Sequence, residues 1–181
     1  MTKMPSMKSD RNPLIVLACL GLALGGLLGI AGTFAPTAAL RSLAWGIDGL
    51  GIVTAGALLT LKYFRDGHDV VAAGFLVLAI GQSVILLGAP MSLDAAVPSF
   101  GAGVSMWALA LLMTSIPKVF PTLVRVLGLI SAALFLVVAT HIFIGDHILA
   151  TTSPLPAYAY PVFVATFAGW IWTLLRERKL A

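Results

Sequence analysis

Between Leu14 and Phe34 the chain runs 21 residues without a charged side chain, and five more apolar stretches of similar length follow it. A run of about 20 apolar residues is what a helix needs to cross the roughly 30 Å hydrocarbon core of a bilayer. In that solvent every backbone polar group must be bonded inside its own segment or across a closed barrel. A barrel needs many segments of about ten residues with strict two-residue alternation, and the sequence has none. The expected fold is therefore all-α, a polytopic membrane protein built as a bundle of six transmembrane helices. Composition agrees: 60% of residues are hydrophobic and 10% charged, with mean hydropathy +1.04, outside the range of soluble globular domains.

The boundaries follow from Pro, Gly and charge. Residues 1–13 read as a basic cytoplasmic tail with Lys3, Lys8 and Arg11, and residues 14–175 as one transmembrane domain. Its spans are expected near 14–34, 43–63, 70–89, 99–116, 122–144 and 155–175, and residues 176–181 form a second basic tail. The first run exceeds the roughly 7–15 apolar residues of a signal-peptide core, which favours an uncleaved first helix. Pro36 and Arg41 mark a short turn, Pro161 lies inside span six where it favours a kink, and Trp170 and Trp172 are expected at a membrane interface. No segment outside the spans is long enough for a soluble catalytic or nucleotide-binding domain.

Charge sets an expected orientation. Ten of the eleven Lys and Arg residues fall on one side: the two tails, the 62–69 loop and the 117–125 region. The other side has Arg41 alone. The positive-inside rule then puts both termini in the cytoplasm of a cell (inner) membrane. The basic pI of 9.6 reflects that placement and does not point to nucleic acid.

Asp48 is the only acid inside a span. A carboxylate in hydrocarbon must be neutral, paired or facing water, so helix two must turn it inward. Counted at about 1.5 Å per residue, Asp48 lies roughly 7 Å below the outer end of its span, Ser105 roughly 9 Å and Gln82 roughly 10 Å. His141 is about one turn below the outer end of span five, and Tyr158 and Tyr160 sit at a similar depth in span six. One polar layer in the outer half is thus expected. It is either a pocket for a small solute or lipid, with Asp48 and His141 as its titratable pair, or a set of groups that satisfy one another and fix helix register. Gly21, Gly25 and Gly29 recur at four-residue steps, a small-residue stripe for close helix contact, within the chain or with another subunit or a second copy.

Several chemistries lack their residues. Two-histidine haem ligation fails because only His141 lies in a span. Three or four tightly placed zinc ligands are missing. Cys19 stands alone, no span carries a central lysine for a Schiff base, and no phosphate-binding fingerprint occurs. No cofactor and no metal is expected, and the environment is the lipid bilayer.

Two resemblances bear on function. Gly103-Val104-Ser105-Met106 resembles the G-x-S-G motif of rhomboid proteases, with Met106 in place of the last glycine and no histidine in span six. That resemblance implies an intramembrane serine hydrolase using Ser105, with His141 as substitute base. In size, span count and orientation the chain is also similar to the substrate-binding subunit of vitamin-type energy-coupling-factor transporters. There the stripe Gly21, Gly25, Gly29 would meet a partner subunit; the 35–42 connection is shorter than expected for that family. The leading expectation is a membrane protein that binds or transports a small solute or lipid. The alternatives are a non-catalytic accessory subunit and the hydrolase.

Overall fold

The computed structural model describes residues 13–151 and 154–180. The tail residues Lys3, Lys8 and Arg11 lie outside the described residues. Six helices follow one another: α1 (Pro13–Thr33), α2 (Ala38–Arg65), α3 (Asp69–Leu87), α4 (Val97–Ser115), α5 (Thr122–Phe143) and α6 (Pro154–Leu180). All six are long and apolar enough to cross a membrane. The fold is that of a multi-pass membrane protein.

α2 starts five residues before the expected span. The reason is a cap: Leu40 N–H donates to Thr37 Oγ1 at 3.2 Å, and Thr37 has the extended backbone of an N-cap. Arg41 therefore lies in the first turn of the helix instead of in a connection. The turn after α2 closes with His68 N–H on Tyr63 O (2.8 Å) and Gly67 N–H on Phe64 O (3.1 Å), with Gly67 at φ +77°. Gly145, at φ +104°, ends α5 with the same pair of bonds. A residue with a Cβ would strain either stop. At the end of α4, Arg125 Nε donates to Ser115 O (2.8 Å) and its Nη2 to Ile116 O (2.9 Å), tying two carbonyls left over by the helix to the start of α5. α6 runs through Pro161 without a break.

Each helix packs on its neighbour in sequence, and α6 closes back onto α1. The result is a ring of six around a shared lumen. Small residues set several of the seams. A Cβ on Gly21 would come within 2.5 Å of Gly51 O, and one on Gly51 within 2.7 Å of Gly21 O. Gly81 and Gly103 bring α3 and α4 together in the same way, each Cβ position lying 3.0 and 2.8 Å from the other's carbonyl oxygen. The stripe Gly21, Gly25, Gly29 therefore faces α2 of its own chain. The outer side of α1 carries Leu17, Leu20, Leu24 and Leu27, all exposed, as lipid-facing residues are.

Aromatic rings fill much of the lumen. Tyr63 stacks on Phe75 (centroids 5.4 Å apart), Phe75 meets Trp170 edge-on (4.9 Å), and the series continues through Phe167 and Phe163 to Trp107. Trp170 is thus a core residue, 1% exposed, where an interfacial position was expected. Trp172, two residues on and therefore on the opposite side of the helix, is the exposed one, with the Arg176 guanidinium 5.2 Å from its ring.

Candidate ligand cavity

The ring column stops short of one end of the bundle. There, beneath the α3–α4 and α5–α6 connections, lies an open-mouthed cavity with about 100 Å³ of free internal volume. Five helices and both connections line it; α5 itself does not. Trp107, Tyr160 and Phe100 are among its walls, and Gly29, Trp45, Asp48 and Gln82 border it from α1, α2 and α3.

Asp48 is 8% exposed. Its carboxylate lies against bare α1 backbone: a Cβ on Gly29 would sit 3.5 Å from the carboxylate atoms, and one on Gly25 would sit 3.4 Å from Oδ1. The glycine stripe and the buried acid are therefore one arrangement. Trp45, one turn before Asp48, donates its Nε1–H to Gly29 O at 3.2 Å and lays its ring on Gly32. These contacts fix the α1–α2 side of the cavity.

Most hydroxyls in the spans are bonded to their own helix. Ser83, Thr114, Thr166 and Thr173 donate to the carbonyl four residues back at 2.9 Å. A carboxylate, an amide oxygen and an indole cannot do this. Asp48 Oδ1, Gln82 Oε1 and Trp107 Nε1 are each buried without a hydrogen-bond partner among the described residues, and all three residues line the cavity. Arg41 Nε, Tyr63 Oη and Ser131 Oγ are unpartnered as well, but none of those residues lines it. Buried polar groups are normally paired, and three of these six unpartnered atoms belong to residues around one opening.

Of the residues expected in the polar layer, Asp48, Gln82 and Tyr160 meet at the cavity. Ser105 does not line it, and its hydroxyl donates to Ala102 O at 2.6 Å. Tyr158 is 69% exposed on the outside of the ring. His141 pairs with Asp146 at 2.6 Å in the α5–α6 connection, and no hydrogen bond joins it to Ser105. Trp45 and Trp107 were not anticipated as cavity residues, nor were the loop residues Met91, Leu93, Ile148 and Leu149. One sequence signal was available: Tyr160, Phe163, Phe167 and Trp170 recur at helical three- and four-residue steps, marking the inward face of α6.

Over the mouth, His147 Nε2 donates to Asp94 Oδ1 at 2.8 Å. This bond bridges the two connections whose neighbouring residues, Leu93 and Ile148, line the cavity. At the opposite end, Lys62 pairs with Asp66 (2.7 Å) and with Glu177 of α6 (3.2 Å).

Fold and site together define a class: a multi-pass helical membrane protein with a polar-based cavity at one end of its lumen. No family model, curated protein or solved structure matches the chain.

Proposed function

We propose that this is an integral protein of a cell (inner) membrane that binds, and in doing so handles for transport, a small solute or lipid component taken into the end cavity from the non-cytoplasmic side. The observation that carries the reading is the convergence of Asp48 Oδ1, Gln82 Oε1 and Trp107 Nε1, unpartnered, on one opening. Ligand sites are concave and mostly apolar, with a few polar groups that orient the ligand, and this cavity has that composition. The orientation is supported by charge: ten of eleven Lys and Arg residues belong to the other end of the bundle or to the tails. The aromatic column below Trp107 supports binding from one side over a continuous pore.

Native mass spectrometry of the protein released from its own membranes tests this. A small mass is expected on the parent protein and on His141→Ala, whose side chain does not line the cavity. The mass is expected to be lost from folded Asp48→Asn and Gln82→Leu. Bulk lipid alone on all four proteins would overturn the reading.

A further inference from the structure

We infer that the ligand is a protonated organic amine with an apolar body, its ammonium group held against Asp48. This rests on the cavity being a ligand site and adds the chemistry of what enters it.

Asp48 has no cationic partner among the described residues: Lys62 pairs with Asp66 and Glu177, and His141 and His147 bond to Asp146 and Asp94. Arg41 is two turns away along α2, its guanidinium 6.0 Å from the Trp45 ring. On the α1 side, the carboxylate meets Gly25 and Gly29, whose amide hydrogens belong to the helix. A buried carboxylate left without a donor or counter-charge is strongly unfavourable. A cation brought in through the cavity supplies the missing counter-charge.

The remaining walls suit a cation. Gln82 Oε1 adds a second unpartnered acceptor beside the Asp48 carboxylate, and Trp107 Nε1 is an unpartnered donor on the same walls. An ammonium with several N–H bonds complements two acceptors. The rings of Trp45, Trp107, Tyr160 and Phe100 border the same space and offer π faces to a cation. Leu86, Met91, Val97 and Ile148 line it as well and match an apolar body. The connections at this end carry Asp94 and Asp146, while Arg41 is its one Lys or Arg, so the local field favours entry of positive charge.

Four probes of similar shape test the inference at neutral pH with purified protein, read by thermal stabilisation and by tryptophan fluorescence. They are 2-phenylethylammonium, its uncharged isostere n-propylbenzene, 2-phenylethanol and 3-phenylpropionate. The ammonium is expected to bind at least about tenfold more tightly than each of the others, the increment of a desolvated cation–carboxylate and cation–π contact. Asp48→Asn is expected to bring the ammonium down to the level of the isostere. Equal or tighter binding of a neutral or anionic probe, or an ammonium preference that survives in Asp48→Asn, would overturn it. The comparison of probes on the parent protein decides even where Asp48→Asn does not fold. A small mass retained in native mass spectrometry without ammonium preference would remove the amine and leave the ligand site standing. Absence of both would remove the two together.

Discussion

The two ends of the lumen are made by the same six helices and are finished differently. At the Tyr63 end, ring packs on ring, and Lys62 joins Asp66 and Glu177 across α2 and α6. At the Asp48 end rings wall an opening instead of filling it, and a carboxylate, an amide and an indole are buried around it with no partners among the described residues. Dense aromatic packing is what a membrane bundle uses for cohesion, since lipid supplies no hydrophobic drive between helices. Leaving the other end open forgoes that packing and gathers three unpartnered polar atoms around one opening, against Tyr63 Oη alone at the packed end. Under the proposed function, one end carries stability and the other recognition.

That division can be broken most severely at Trp170. Trp170→Ala is expected to destabilise the fold by about 3–5 kcal/mol, the usual loss for a large core aromatic. The folded fraction should keep its ammonium preference, as thermal unfolding and probe titration would report. A selective loss of binding with unchanged stability would erase the distinction between the ends.

The glycine stripe sharpens the contrast along one helix. Gly21→Ala forces a methyl group against the Gly51 carbonyl and is expected to cost about 1–3 kcal/mol. Gly25→Ala meets Ile52 Cγ1 at 2.5 Å, where a buried side chain and not a backbone carbonyl must shift, and should cost less. Gly29→Ala makes ordinary contact with the Asp48 carboxylate at 3.5 Å; its stability should hardly change while binding weakens. The order Gly21, Gly25, Gly29 in unfolding temperature is the test, and a reversed order would contradict it.

Asp48→Asn separates the two roles in the opposite sense. Replacing a buried, unpartnered acid by its neutral isostere is expected to raise ligand-free stability by roughly 1 kcal/mol while abolishing selective binding. A large loss of stability would instead make Asp48 part of the cohesive structure. His147→Ala removes an exposed link over the mouth. It should change stability by less than about 1 kcal/mol and speed probe release in stopped-flow fluorescence; unchanged release would mean that the Asp94–His147 bond does not gate the cavity.

The six helices were legible because each apolar run is long and ends at Pro, Gly or charge. The early start of α2 was not, since it depends on a Thr37 cap closed over residues too mixed in polarity to look like a span. Asp48 was legible as a lone acid that must face inward, and Gln82 and Tyr160 were legible by depth. Depth does not give the face of a helix. Tyr158 and Tyr160 are two residues apart, as are Ser105 and Trp107, and a two-residue step crosses to the other side of a helix. In each pair one member faces the lumen, and only the packed ring shows which. The stripe on α1 was legible as a close-contact surface, while its engagement with α2 and with the Asp48 carboxylate needed the neighbouring backbone in place.

The most direct measurement compares thiol accessibility at the cavity and midway along the lumen, in sealed vesicles of known orientation with Cys19 replaced by Ala. Leu86→Cys lies on the cavity wall and Leu78→Cys in the fully buried core of the same helix. A membrane-impermeant methanethiosulfonate reagent is expected to label position 86 from the non-cytoplasmic side only, more slowly when 2-phenylethylammonium is present, and to leave position 78 unlabelled from both sides. Labelling of position 78, or protection of position 86 from both sides, would contradict a lumen that is sealed at one end and receptive at the other.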